Sequence, residues 1–188
     1  MSERVVLVDE QDRPVGVEEK RNAHLLGRLH RAFSVFVYRP DGAMLLQRRA
    51  YSKYHSGGLW SNTACGHPRP GEPTAAAARR RLREEMGFDT DLRSVLSFTY
   101  RADVGDLVEH ELDHVLVGAA DARPAPDPDE VSDWRWVTVD DVVREAWETP
   151  DRFTPWFPLA LRQLMAADAL ESPHRSYITG PRPEPRVA

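Results

Sequence analysis

Gly66-His67-Pro68-Arg69-Pro70-Gly71-Glu72-Pro73-Thr74-Ala75-Ala76-Ala77-Ala78-Arg79-Arg80-Arg81-Leu82-Arg83-Glu84-Glu85-Met86-Gly87-Phe88 is the stretch that decides the fold. It starts as a Gly- and Pro-rich loop and turns helical at Glu72-Pro73-Thr74. Proline suits a first helical turn, where its missing N–H has no partner, and Gly87 is placed to take the left-handed conformation that ends a helix. The spacing predicts a helix over Pro73 to Met86. A glycine-containing loop feeding a helix brings backbone amides toward a phosphate, and carboxylates on the helix's inner face hold a divalent cation that bridges diphosphate oxygens. A charge run alone would read as a solvated face; the joint spacing of Gly66, Glu72, Arg80, Glu84, Glu85 and Gly87 is what sets this stretch apart.

Strands are expected on both sides of this helix. Arg4 to Val8 and Val15 to Val17, joined by a polar turn through Gln11 and Asp12, read as an N-terminal hairpin. Ala32 to Tyr38, the Pro40-Asp41-Gly42 turn and Met44 to Arg48 read as a core hairpin. Tyr51 to Gly66, rich in Gly, Ser, Tyr and Trp, has no helical period and reads as a long structured loop. Strands follow at Val95 to Arg101, Val108 to Val117 and Trp134 to Val139, with a proline-rich acidic loop at Pro124 to Asp129. Thr138 and Asp141 have capping-box-like spacing before a helix to about Trp147, and Trp156 to Leu170 has the apolar spacing of another. Residues 1–170 are therefore expected to form one α/β (α+β) domain, with residues 171–188 a flexible, proline-rich tail. There are no internal repeats.

Composition narrows the function classes. Among 188 residues, 25 Lys and Arg against 30 Asp and Glu give a net charge of −5, which argues against a nucleic-acid surface yet permits a small anion gripped by local cations. No apolar run approaches the roughly 20 residues of a membrane span, and the start lacks the basic-then-apolar order of a secretory signal, so a cytoplasmic protein is expected. Cys65 is the only cysteine, which removes internal disulfides and multi-thiolate metal sites. On its own it reads as a small buried hydrophobe.

The stretch from Gly66 to Phe88 resembles the Nudix box, with one departure: the pattern places Glu directly after the first Arg of the helix core, and here that residue is Arg81. Hydrolysing Nudix enzymes use clustered glutamates to assemble metals and activate water, so a cation there weakens hydrolysis and strengthens diphosphate gripping. The resemblance implies a mixed β-sheet sandwiched by helices, extended by the N-terminal hairpin. Ser61-Asn62-Thr63-Ala64-Cys65-Gly66-His67-Pro68 resembles, more narrowly, the active-site cysteine segment of the isopentenyl-diphosphate isomerases. The likeness continues through His24, Arg28-Leu29-His30, Val108-Glu109-His110-Glu111 and Thr154-Pro155-Trp156, and spans roughly residues 3 to 165.

Read without the family, His24, His30 and His67 are three separate imidazoles. Glu109 and Glu111 share one face of a predicted strand by period-two alternation, while His110 and His114 take the other. The resemblance implies that His24, His30, His67, Glu109 and Glu111 form one divalent site, whose mixed ligands suit zinc, manganese or magnesium. It further implies a magnesium ion between the substrate diphosphate, Glu85 and the backbone carbonyl of Cys65. Lys20, Arg49, Lys53 and Arg81 match diphosphate-gripping positions. Cys65 and Glu111 match the two proton-handling groups, Tyr100 lies beside Glu111, and Trp156 matches the pocket tryptophan that faces a cation-like state, with Trp60 a weaker candidate. The implied partner is a small allylic or homoallylic diphosphate. Two rivals stay open at this point: a Nudix pyrophosphohydrolase of nucleotide diphosphates, and a catalytically silent diphosphate-binding module.

Overall fold

The computed structural model describes residues 3–167. Residues 168–170, at the end of the helix expected to reach Leu170, and the tail expected from 171 to 188 lie outside the described residues. β1 (Arg4–Val8) and β2 (Pro14–Glu19) pair antiparallel, from Arg4 with Glu19 to Val8 with Pro14, as the hairpin reading requires. Asp12 takes φ 61° in the connecting turn, and its carboxylate accepts from Arg31 Nε at 2.7 Å and sits 3.0 Å from His114 Nε2.

The sequence reading assigns nothing between Val17 and Ala32, and the chain there forms α1 (Lys20–Leu26). Its cap is the Glu19 carboxylate, which accepts from Asn22 N, in place of the usual Ser, Thr, Asp or Asn. Gly27 closes it at φ 58°, a conformation any Cβ would strain. One turn of helix sets Lys20 and His24 four residues apart on a shared face.

β3 (His30–Tyr38) is the central strand. β4 (Met44–Arg49) returns from it, but the two pair only at Tyr38 and Met44, so the expected core hairpin is splayed. The presumed loop fills the gap with β5 (Trp60–Ser61), paired with β4, and β6 (Ala64–Gly66), paired with β3. Thr63 is the wedge: its hydroxyl accepts from Val37 N at 2.9 Å and donates to Leu45 O at 2.8 Å, serving a backbone group on each separated strand.

α2 (Thr74–Met86) follows, ended by Gly87 at φ 74°, where a Cβ would come 2.3 Å from Ala125 O. β7 (Leu92–Val104) and β8 (Leu107–Ala119) form a long antiparallel pair, and β8 runs parallel to β3 from His30 with Glu111 to Tyr38 with Ala119. β9 (Val131–Val137) pairs with β4. α3 (Val139–Glu148) starts at Thr138, whose hydroxyl accepts from Asp141 N, and α4 (Trp156–Ala166) completes the described chain.

Alternation along β3 sends side chains into two cores. Phe33, Val35 and Val37 pack with Ala77, Ala78, Leu82 and Met86 of α2. Phe36 and Tyr38 pack with Val142 and Ala146 of α3 and with Phe157, Ala160, Leu161 and Leu164 of α4. The mixed sheet is thus sandwiched by helices, as expected. Among the described residues, no helix is long and apolar enough to cross a membrane.

Candidate active site

Strand register assembles the polar centre. The parallel pairing sets His30 beside Glu111, and the β7–β8 pairing sets Tyr100 opposite Glu111 and Ala102 opposite Glu109. Tyr100 Oη lies 2.6 Å from Glu111 Oε2 and 2.7 Å from Glu109 Oε2, so the two carboxylates do share a face. His110 and His114 point the other way, to Gly27 O at 3.0 Å and to Asp12. β6 delivers His67, whose Nε2 lies 2.9 Å from Glu111 Oε1 and 3.2 Å from His30 Nε2. α1 delivers His24, with Nε2 3.9 Å from the same Glu111 oxygen.

All four groups are buried, and the tautomers of His24 and His30 suit a metal. His24 Nδ1 and His30 Nδ1 lie 2.7 and 2.8 Å from the carbonyls of Lys20 and Arg28, which can only accept, so both Nε2 lone pairs face Glu111. His24 Nε2 is buried with no hydrogen-bond partner, as a free ligand atom would be. The donor atoms of His24, His30, His67 and Glu111 lie within 4.8 Å of one another, a cluster suited to a divalent ion. Burial pushes His24 below the usual imidazole range and His67 down to about 4, which keeps both neutral. Burial would push Glu111 up, but the imidazoles of His30 and His67 packed around it hold it well down. Glu109 is pushed up to about 8 by burial and by the Glu111 charge.

A cavity of about 220 Å³ opens beside this cluster. That is below the ~300–1,000 Å³ of drug-sized pockets and suits a small molecule. Eleven of the residues singled out in the sequence line it: Lys20, Arg49, Lys53, Cys65, Gly66, His67, Arg81, Glu85, Glu109, Glu111 and Trp156. His24, His30 and Tyr100 stand behind its wall. Trp60 is not on it; the ring packs in the core under Arg135, 4.5 Å from the guanidinium carbon.

Two expectations about the box change. The first turn of α2 is not on the cavity, so the helix N-terminus is not presented there; the loop contributes Gly66 and His67, and the helix offers the flank carrying Arg81 and Glu85. Nor do the box carboxylates act together. Glu72 accepts two hydrogen bonds of 2.8 Å from Arg80, and Glu84 is exposed and pairs with Arg80 and Arg81. Only Glu85 is buried on the cavity, where burial raises it while Arg81, at 2.9 Å, and Gln47, donating at 2.6 Å, hold it back.

Burial and the nearby Glu85 push the Cys65 thiol up to about 12, so it stays protonated at neutral pH. Arg49 reaches within 3.9 Å of Cys65 Sγ and covers one face of Trp156, 5.3 Å from the ring centre. Trp156 Nε1 donates to Asn62 Oδ1 at 3.3 Å, which fixes the ring.

Sequence reasoning missed six lining residues, two of them Phe33 and Ser34 of β3. Glu3 pairs with Lys20 at 3.0 Å, Glu130 holds Lys53 at 2.5 Å and Arg81 at 2.6 Å, and Tyr54 and His55 close one side. Glu3 and Glu130 are placed by strand pairing remote in sequence, and no spacing announces them. His55 carried a signal, an imidazole two residues after Lys53.

Comparison with known proteins agrees with this geometry. The NUDIX domain model matches residues 28–157. An isopentenyl-diphosphate Delta-isomerase of Serratia proteamaculans is 50% identical over 167 residues, 88% of this chain and 93% of that one. Its counterpart in Burkholderia multivorans is 54% identical over 158 residues, covering 84% and 90%. Among solved structures, a Deinococcus radiodurans protein superposes with a TM-score of 0.73 at 22% identity, over 86% of this chain and 98% of that one, and a MutT protein of Methanosarcina mazei with 0.63 at 15%, over 74% and 95%; these show the fold. With a Nudix fold, a box that keeps one cavity-facing glutamate, and a thiol and a His/Glu cluster on that cavity, the chain belongs to the isopentenyl-diphosphate Delta-isomerase family of Nudix-domain proteins.

Proposed function

We propose that the chain interconverts isopentenyl and dimethylallyl diphosphate. The observation that carries this reading is the placement of the Cys65 thiol and the Glu111 carboxylate on one small cavity that also holds Lys20, Arg49, Lys53 and Arg81. Neither a hydrolase nor a silent binding module needs that thiol. The cations hold the diphosphate, and Arg49, drawn to it, uncovers the Trp156 face. One proton is added to the terminal alkene carbon and one is removed from the carbon beside the oxygenated methylene, through a tertiary cation-like state. The electron-rich Trp156 ring lowers the energy of that state, by about 2 kcal/mol when desolvated. A neutral thiol at Cys65 and an ionised Glu111, hydrogen-bonded by Tyr100, give the cavity one proton donor and one proton acceptor, so the proton added and the proton removed are both accounted for.

His24, His30, His67, Glu109 and Glu111 would hold manganese, zinc or magnesium, and Glu85 with the Cys65 carbonyl would hold magnesium against the diphosphate. Such ions supply fixed positive charge that polarises a carboxylate and neutralises phosphate oxygens.

The test follows carbon-bound hydrogen and phosphorus together. In heavy water, isopentenyl diphosphate should become dimethylallyl diphosphate with deuterium in the new methyl group and no inorganic phosphate. Phosphate release from this substrate or from nucleotide diphosphates, without deuterium in carbon, would establish the pyrophosphohydrolase instead.

A further inference from the structure

The cation end of the cavity is nearly balanced before any ligand arrives. Lys20, Arg49, Lys53 and Arg81 line it together with the carboxylates of Glu3, Glu85 and Glu130. Arg81 Nη2 joins two of those carboxylates, 2.9 Å from Glu85 and 2.6 Å from Glu130, while Glu130 also holds Lys53 at 2.5 Å. Four cations against three carboxylates leave one positive charge. A diphosphate ester carries roughly three negative charges, so entering alone it would leave this end with a net charge of about −2. A divalent cation supplies what is missing.

Glu130 is the carboxylate that makes this deficit felt. Its backbone is tied on both sides: Ala50 N donates to Glu130 O at 2.9 Å, and Glu130 N donates to Asp127 O at 3.0 Å. A phosphate can push the carboxylate off Lys53 and Arg81, but the anchored chain keeps it at the cavity wall, where its side chain is only 24% exposed. Its charge is therefore screened less than that of Glu3, which is 52% exposed and whose ion pair is with Lys20.

We infer that Glu130 couples diphosphate binding to magnesium: it disfavours a metal-free diphosphate at Lys53 and Arg81, and its charge is offset once magnesium arrives against Glu85. This rests on the reading that the cavity takes a diphosphate with magnesium. The role differs from that of Glu85, because a metal ligand strengthens the magnesium complex whereas Glu130 weakens the complex without magnesium. The site thereby selects between two forms of one ligand, admitting the magnesium diphosphate and rejecting the free anion. Coupling of this kind commonly amounts to ~5- to 150-fold in affinity.

Inorganic pyrophosphate is the probe, titrated calorimetrically into the native chain, Glu130→Gln and Glu3→Gln in magnesium-containing and magnesium-free buffer. The affinity of magnesium for pyrophosphate in solution is common to all three and cancels between proteins. In Glu130→Gln the magnesium-free affinity should rise about tenfold, with the affinity in magnesium changed less than about threefold and the circular dichroism spectrum unchanged. Glu3→Gln should keep the native ratio of the two affinities. A native chain with no preference for magnesium would overturn the inference without any variant, as would an unchanged ratio in Glu130→Gln. So would a fall in the Glu130→Gln affinity in magnesium, the mark of a metal ligand, or an equal effect of Glu3→Gln, the mark of bulk charge. A native chain that binds pyrophosphate in neither buffer would overturn the diphosphate reading itself, a distinguishable failure.

Discussion

Replacing Arg81 by Met tests how the cavity tolerates its buried carboxylate. Glu85 is almost fully buried, and its charge is held by Arg81 at 2.9 Å and by one hydrogen bond from Gln47. Removing the guanidinium leaves an uncompensated buried charge, ordinarily a loss of 3–5 kcal/mol. Glu85 has an escape, because it can take up a proton. From an ordinary value of 4.5, protonation at pH 7 costs about 3.4 kcal/mol at 1.36 kcal/mol per unit, which caps the loss near 3 kcal/mol. That corresponds to a melting temperature roughly 6–12 °C lower for a chain of this size. The sign of the pH dependence follows. In the variant the folded Glu85 is raised further above its unfolded value, so the folded state binds more protons and loses stability as pH rises above 4.5. The deficit against the native chain should therefore shrink toward pH 5 and widen toward pH 7. Arg81→Met with Glu85→Met should recover most of the loss, since the orphaned charge is gone. Thermal unfolding from pH 5 to 7.5 is the assay. An equal deficit at all pH values, or a double variant no more stable than the single one, would refute the reasoning.

Cys65→Ala and Glu111→Gln should each lower isomerisation by at least about 10³-fold with unchanged circular dichroism, each removing a proton-handling group of the proposed reaction; near-native turnover in either would contradict its role. With the thiol pushed up to about 12, alkylation of Cys65 by iodoacetamide should keep rising about tenfold per pH unit between pH 8 and 10, with no plateau near 9. His67→Ala should purify with less bound divalent metal than the native chain by elemental analysis, and equal content would contradict a histidine-ligated site. Thr63→Val should destabilise by about 2–4 kcal/mol in urea unfolding, because it leaves Val37 N and Leu45 O without their buried partner.

The parts of the fold legible in the sequence were those whose cause is local. Helix α2 announces itself through Pro73, its alanines and Gly87, and Thr138 announces α3. Period-two alternation correctly places Glu109 and Glu111 on the face opposite His110 and His114. The splayed pair of β3 and β4 was not legible, because Pro40-Asp41-Gly42 is a good turn and nothing adjacent shows that Thr63, remote in sequence, will take the Val37 and Leu45 hydrogen bonds. α1 was hidden by its Glu19 cap. The site residues came through resemblance rather than spacing: no period joins His24 to His67, and the β3–β8 register that sets His30 beside Glu111 is a tertiary fact. Glu130 shows the limit of local reading. In sequence it is one more acid after a proline-rich acidic loop, yet the β4–β9 pairing places it against Lys53 and Arg81.

The cavity's charge layout explains how the proposed substrate would be oriented without contacts to its hydrocarbon beyond shape. Lys20, Arg49, Lys53 and Arg81 supply four cations, three of them held by carboxylates: Glu3 holds Lys20, and Glu130 holds Lys53 and Arg81, while Arg49 lies over Trp156 with no carboxylate paired to it among the described residues. These partners are exchangeable. Glu3 and Glu130 have side chains 52% and 24% exposed, so a diphosphate can displace them into water at modest cost. Glu85, Glu109 and Glu111 cannot be displaced this way, because each is buried on a strand or helix. A reversed substrate would take its phosphates away from Lys20, Lys53 and Arg81 and set an apolar tail against those cations, which would stay on Glu3 and Glu130. Orientation in the proposed reaction therefore comes from where negative charge is fixed and where it can yield, and Arg81 is decisive in that balance. With a glutamate in its place, Glu85 and Glu130 would lose their shared cation, and the end of the cavity that admits a diphosphate would be built to assemble metals instead.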